Sequence, residues 1–245
     1  MWYVGSKEKL SKELVPIIQS YVDNNGGGKY LEPFCGSCAI IEKIKCETKI
    51  ACDIKAELIA LLKEVQTNGV KNFPSTISRE EYTDVRTNRD NFPLWYVGLV
   101  GFCASYNAKF FGGYANNIKT KIGRIRNYTD ESIRNLCRQA PRLKGIKFAH
   151  TDFRNLPKDK LKNYVIYCDI PYRNSTKYST KDFPYEDFYT WCRELCKDNI
   201  ILVSEYNMPD DFECIWEKEV KTSLHNNRGV NNEKTNRVEK LFVLE

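Results

Sequence analysis

Lys29-Tyr30-Leu31-Glu32-Pro33-Phe34-Cys35-Gly36-Ser37-Cys38, followed by Lys49-Ile50-Ala51-Cys52-Asp53, is the stretch that decides the fold of this 245-residue chain. An apolar run of strand length, Lys29 to Phe34, ends in a glycine turn at Cys35 to Cys38, and a helix is expected from there through about Lys45. Lys49 to Cys52 reads as a second strand, closed by Asp53, with a helix over Lys55 to Gln66 directly behind it. Upstream, Leu10, Leu14, Ile17, Ile18 and Tyr21 have helical spacing between Lys7 and Tyr21, and Asn24 to Gly28 breaks that helix. Strand, turn, helix, strand, acid and helix in this order are half of a doubly wound α/β sheet.

The same stretch carries cofactor chemistry. An acid closing the second strand, about twenty residues after a glycine turn, is spaced to accept the two hydroxyls of a ribose. The turn is not GxGxxG, which argues against a dinucleotide, whose pyrophosphate needs close backbone approach. A nucleoside-bearing cofactor without phosphate fits better, and S-adenosylmethionine is such a molecule.

Asp169-Ile170-Pro171-Tyr172 ends another apolar run, Tyr164 to Cys168. In open α/β sheets, ligands sit outside the carboxyl ends of strands. A carboxylate, a backbone carbonyl and an aromatic face there form a seat for a flat, amino-bearing ring; taken alone, the same four residues also suit a strand-end turn.

From about Asn72 to Leu143 the pattern changes, with helices expected near Ser78 to Arg89, Leu94 to Ala108 and Asp130 to Arg138 and no clear strand. We read residues 72–143 as an inserted helical subdomain between residues 1–71 and 144–245. Strand signals return at Ile146 to His150, Tyr164 to Cys168, Ile200 to Ser204, Phe212 to Trp216 and Lys240 to Leu244, and the polar segment Thr222 to Asn236 reads as a mobile loop. The net charge is +6, yet ten basic residues from Lys109 to Lys147 face only Asp130 and Glu131, so the rest of the chain is net negative. A basic patch this local suits a polyanion, because lysine and arginine that neutralise phosphates release condensed counterions.

The remaining composition excludes other classes. No apolar run approaches the roughly 18 residues of a membrane span, and the first residues do not form a signal peptide, so a cytoplasmic protein is expected. The ten cysteines lie mostly in apolar or helical stretches, as reduced thiols do. Cys35 and Cys38 form a single CxxC, and two histidines, His150 and His225, are too few for a histidine-based metal centre. No metal is called for.

Several stretches together resemble the Dam-type DNA adenine methyltransferases, including their bacteriophage members. They are Tyr3-Val4-Gly5-Ser6-Lys7, Leu31 to Gly36, Asp53-Ile54, Ser105-Tyr106-Asn107-Ala108-Lys109-Phe110-Phe111-Gly112-Gly113, Thr151-Asp152-Phe153 and Asp169 to Tyr172. The resemblance implies a Rossmann-like, mostly parallel sheet with helices on both faces and an inserted DNA-recognition subdomain. It also implies methyl transfer from S-adenosylmethionine to the N6 amino group of adenine in a short double-stranded DNA site, in a bacterial or phage-infected cell; the sequence leaves the oligomeric state open, with a monomer expected when free.

Roles follow from the resemblance position by position. Tyr3, Lys7, Glu32, Phe34 and Gly36 surround the cofactor, Asp53 with Ile54 takes its ribose end, and Asp152 with Phe153 takes its adenine. Asp169, which also borders the cofactor, and the carbonyl of Ile170 accept from the target amine, Pro171 completes the catalytic tetrapeptide, and Tyr172 stacks on the flipped base. Lys109, Lys119, Lys121, Arg124 and Arg126 are candidates for phosphate contact, and Asn107, Asn116 and Asn117 for base edges. Two departures stand out: Ile170 occupies a position more often proline, and Cys38 one more often glycine. The alternatives are a catalytically weak or inactive DNA-binding homologue, or an amino-methyltransferase acting on cytosine or RNA.

Overall fold

The computed structural model describes residues 1, 3–119, 123–173, 183–221 and 236–245. In chain order the strands are β1 (Lys29–Glu32), β2 (Thr48–Asp53), β3 (Ile118–Lys119), β4 (Ile125–Arg126), β5 (Ile146–His150), β6 (Val165–Asp169), β7 (Ile200–Glu205), β8 (Glu213–Lys221) and β9 (Asn236–Leu244). The helices are α1 (Ser11–Asn24), α2 (Ala56–Asn68), α3 (Arg79–Thr87), α4 (Leu94–Cys103), α5 (Tyr128–Leu143) and α6 (Tyr185–Leu195). Apart from the β3-β4 hairpin, the strands form one sheet in the order β5-β2-β1-β6-β7-β9-β8. Pairs from β5 to β7 are parallel, and β9 runs antiparallel to both neighbours.

The central strands are buried almost end to end, and successive residues face opposite cores, as a sheet covered on both faces requires. Tyr30, Ala51, Val165, Tyr167 and Leu202 face a core shared with Leu14, Ile18 and Val22 of α1 and with Leu58, Leu61, Leu62 and Val65 of α2. Leu31, Cys52, Ile166, Cys168, Ile201 and Val203 face the opposite core, filled by Phe188, Trp191, Cys192 and Leu195 of α6. This is the Rossmann-like α/β fold that the first half of the chain leads one to expect. The chain runs outward from β1 through β2 to β5, then returns to the other side of β1 as β6. The carboxyl ends of β1 and β6 therefore flank the topological switch point, where such sheets bind ligands.

The segment between α2 and β5 has its own small core of Ile77, Tyr82, Val85, Val97, Val100, Ala104 and Phe111. Its anchor is α4, which lies on α2; Leu99, Phe102 and Cys103 enter the core above the sheet. Gly98 makes that approach possible, since a Cβ there would stand 2.3 Å from the Glu57 carbonyl oxygen. Ser78 opens α3 with a reciprocal capping box to Glu81.

Several sequence expectations change. The segment after the glycine turn forms consecutive turns instead of a helix through Lys45. Cys38 adopts φ +62°, outside the helical region, and both Cys38 N–H→Cys35 O and Lys43 N–H→Ile40 O are three-residue bonds. The helix expected to reach Ala108 stops at Cys103, because Ala115 N–H bonds the Ala104 carbonyl and Tyr106 N–H bonds that of Gly113, folding the chain back on itself. The insertion also contains a hairpin where no strand was foreseen: Ile118 pairs with Arg126, and Lys119 with Ile125. The Thr222 to Asn236 loop falls on residues 222–235, outside the described residues. All ten cysteines are free thiols, and among the described residues no helix is long and apolar enough to cross a membrane.

Candidate active site

The turn after β1 is organised by Asp53. Its Oδ2 accepts the Gly36 N–H at 3.1 Å and its Oδ1 the Lys55 N–H at 3.0 Å, so the acid ending β2 holds the turn ending β1. Burial pushes the Asp53 carboxyl up, and these backbone donors oppose the shift. Gly36 sits at φ +47°, and a Cβ on it would stand 3.2 Å from the Tyr3 ring, so a glycine fits both the turn and the N-terminal segment crossing it. Ser6 caps the short 3-10 helix Lys7–Lys9, and its hydroxyl lies 2.9 Å from that of Ser37. Ile54 stands 63% exposed beside Asp53, an apolar surface at the mouth of the crevice.

β6 delivers Asp169 to the same crevice. Lys7, the buried residue of the Lys7–Lys9 helix, donates from Nζ to Asp169 Oδ1 at 2.6 Å, and this nitrogen lies 4.6 Å from the centre of the Tyr172 ring. Burial raises the Asp169 carboxyl, and the ammonium of Lys7 pulls it back down. The residues around the tetrapeptide are tethered from outside: Tyr185 Oη donates to the Pro171 carbonyl at 2.7 Å, Tyr172 Oη to Glu239 at 2.8 Å, and Arg173 N–H to Glu205 at 2.9 Å. Tyr206 meets the Tyr172 ring edge-on at 4.6 Å. Sequence reasoning missed Tyr185, Glu205 and Glu239; of these, Glu205 had a legible signal, a carboxylate ending an apolar strand as Asp53 and Asp169 do.

Burial pushes the Glu205 carboxyl up to about 7 from an ordinary value near 4.5. The folded state holds that proton where the unfolded chain has released it, so this group's contribution is full below about pH 4.5 and is lost as pH rises through 7. Glu205→Gln removes the titration. Its thermal midpoint relative to the parent protein should therefore rise between pH 5 and pH 8; a difference that is flat with pH, measured by circular dichroism, would mean that Glu205 titrates normally.

Other expected cofactor contacts are placed differently. Glu32 points inward, with Tyr30 Oη donating to it at 2.9 Å, and burial holds its carboxyl well above the usual range. Phe34 and Phe153 pack together at 5.5 Å, and Phe153 continues into Phe188 and Trp191, so its ring belongs to the core. Asp152 caps the 3-10 helix Phe153–Asn155 and binds Arg154 through both oxygens, at 2.9 and 2.8 Å, which lowers its pKa. An adenine edge meeting Asp152 would compete with that arginine.

The basic residues divide as well. Lys109 and Lys119 are exposed, as are Asn107 and Arg124. Arg126 grips Glu131 through two nitrogens, at 3.0 and 2.5 Å, and lies over Tyr128, so a phosphate reaching it would compete with that carboxylate. Asn116 donates to Thr76 Oγ1 and the Ile77 carbonyl and accepts the Asn117 N–H, so its amide builds the loop. Asn107 and Asn117 take left-handed conformations, at φ +55° and +52°. Lys121 lies outside the described residues.

The model of one family, the D12 class N6 adenine-specific DNA methyltransferases, matches residues 3–199, from the N-terminal segment through α6 to the start of β7. The chain belongs to this D12 class. The Type II methyltransferase M.FokI of Planomicrobium okeanokoites is 24% identical over 192 residues, covering 71% of this D12 chain and 29% of that protein. The chain thus spans under a third of that relative's length. Among solved structures, TrmN from Thermus thermophilus is 14% identical, covering 94% of this chain and 48% of its own, with a TM-score of 0.40. A Thermoplasma acidophilum protein is 9% identical, covering 94% of this chain and 87% of its own, with a TM-score of 0.42.

Proposed function

We propose that this D12 chain transfers the methyl group of S-adenosylmethionine to the N6 amino group of adenine in a short double-stranded DNA site. The observation that carries the reading is the Lys7 ammonium, which donates to Asp169 at 2.6 Å and lies over the Tyr172 ring. A nitrogen donor already occupies the seat that the target amine needs, and the amine takes it when Lys7 turns aside toward the cofactor.

The residues of the crevice fit S-adenosylmethionine. Each Asp53 oxygen accepts one backbone bond and keeps a lone pair for a ribose hydroxyl, and exposed Ile54 offers a face to the adenine ring. When bound, the cofactor supplies an electrophilic methyl on a sulfonium. The lone pair of an adenine amine is delocalised into its ring, and acceptors drawing on its N–H groups free that pair for attack. Asp169 and the Ile170 carbonyl are those acceptors, so neither a metal nor a covalent nucleophile enters the scheme. With the cofactor bound, its methyl would pass to the amine nitrogen as the C–S electrons return to sulfur, and Asp169 would take the surplus amine proton toward solvent.

A stacked base cannot reach this crevice, so the target adenine leaves the duplex, at a cost of a few kcal/mol that stacking and phosphate contacts offset. We assign target recognition to residues 72–143. Lys119 pairs across the hairpin with Ile125, which is 71% exposed, so an exposed cation available to a phosphate stands beside an exposed apolar side chain. Replacing Lys119 and Lys121 by alanine should weaken binding to all DNA sequences and reduce the slope of log K against log salt by about 2. An unchanged slope in a fluorescence-anisotropy titration would move the DNA face elsewhere.

The activity itself is tested by incubating the protein with S-adenosylmethionine and unmethylated duplex DNA, single-stranded DNA or RNA, then digesting to nucleosides. N6-methyladenine from the duplex is expected; methylcytosine or product from RNA alone overturns the reading.

A further inference from the structure

Catalysis by this scheme asks one backbone carbonyl, that of Ile170, to hold its aim. Proline at this position would fix φ, whereas isoleucine leaves the backbone more freedom. Tethers follow immediately after it, at Pro171, Tyr172 and Arg173, and the most buried partner among them is Glu205, 1% exposed. Glu205 ends β7, and its neighbour Ser204 is the register partner of Asp169. One carboxylate oxygen takes the Arg173 N–H at 2.9 Å and the other the Tyr206 N–H at 2.6 Å, while the Tyr206 ring meets Tyr172 edge-on. A single side chain thus bridges the backbone leaving the tetrapeptide and the backbone carrying the ring that braces Tyr172. Burying a carboxylate is unfavourable unless it is well bonded, and among the described residues this one bonds to those two N–H groups.

We propose that Glu205 is a positioning residue for methyl transfer: by clamping Arg173 and Tyr206 together, it gives the tetrapeptide the rigidity that Ile170 withholds. The proposal rests on reading Asp169 to Tyr172 as the seat of the target amine. Glu205 touches neither the amine nor the cofactor and acts through the aim of the Ile170 carbonyl and the Tyr172 ring. Because the two devices serve one end, a proline at 170 should make Glu205 less necessary.

The test is a double-mutant cycle on the purified full chain, using unmethylated genomic DNA as acceptor. Glu205→Ala should lower kcat about 10- to 100-fold, the loss a misplaced reacting group brings, while KM for S-adenosylmethionine and affinity for DNA stay within about threefold. Glu205→Gln, which keeps one acceptor, should lose less. Adding Ile170→Pro to Glu205→Ala should recover about tenfold in kcat, more than Ile170→Pro adds to the parent protein. Where thermal melts show the alanine variant unfolded, the same cycle is read on Glu205→Gln. Near-parental kcat without Glu205, a loss that Ile170→Pro leaves unchanged, or a loss carried in KM overturns the proposal. An active Asp169→Ala variant, assayed alongside, would instead overturn the reading of the site on which it rests.

Discussion

Asp169→Ala is expected to lower kcat for adenine methylation by about 10³-fold or more while leaving affinity for DNA within a few-fold of the parent protein. The carboxylate stands at the end of β6, at the switch point of the sheet, and it is the acceptor that Lys7 already engages. Without it, the amine has one acceptor rather than two, and its lone pair stays in the ring. DNA affinity should survive because exposed Lys119 and Arg124 lie on the β3-β4 hairpin, an element separate from β6. Removing Asp169 also leaves the Lys7 ammonium, 8% exposed, without its partner, a change that by itself destabilises the fold. Asp169→Asn separates the two effects, since it keeps an oxygen on Lys7 while giving up the charge that supports a cationic transition state. Both variants should melt cooperatively and bind DNA in anisotropy titrations, yet yield little N6-methyladenine after digestion to nucleosides. Turnover by either within tenfold of the parent protein would remove Asp169 from the chemistry.

The parts of this site that were legible in the sequence are those with strand grammar. Asp53 and Asp169 each close a buried apolar run, and the order of β1, β2 and β6 places both acids near the same crevice. Glu205 closes Ile200-Ile201-Leu202-Val203-Ser204 in the same way, and only its distance from any motif hid it. Glu239 carried no such signal: it lies in the alternating stretch Arg237-Val238-Glu239-Lys240, where a surface acid is the ordinary reading. The segment Ile40, Ile41 and Ile44 has helical spacing, but the left-handed Cys38 turns the chain first, so periodicity misled. The β3-β4 hairpin escaped because two-residue strands are too short to show a period. The fold pairs Arg126 with Glu131, and charge counted along a chain does not reveal which cations are already paired.

The coupling between the insertion and the sheet leads to the largest expected loss of stability, at Gly98. α4 is Leu94-Trp95-Tyr96-Val97-Gly98-Leu99-Val100-Gly101-Phe102-Cys103, and its residues from Val97 onward are buried. Such a helix is apolar on all sides and needs neighbours all round. On one side it meets the small core of the insertion through Val97 and Val100, and on the other it lies against α2. At Gly98 the two helices approach too closely for a side chain: a Cβ there would stand 2.3 Å from the Glu57 carbonyl oxygen and 3.2 Å from Leu61 Cβ. The obstacle is backbone, so no rotamer change relieves it, and α4 must move away from α2. Gly98→Ala should therefore destabilise by about 2–4 kcal/mol through overpacking, despite alanine's better helix propensity, and lower the melting midpoint by about 5–15 °C. Moving α4 also shifts Phe102, whose ring packs on Tyr3 at 5.6 Å, and Tyr3 in turn covers Gly36. Thermal melts with and without S-adenosylmethionine, followed by calorimetric titration, should show weakened cofactor binding alongside the lower midpoint. An alanine variant melting within 2 °C of the parent would mean that α4 and α2 can separate freely, and that the insertion is mounted on the sheet more loosely than this contact implies.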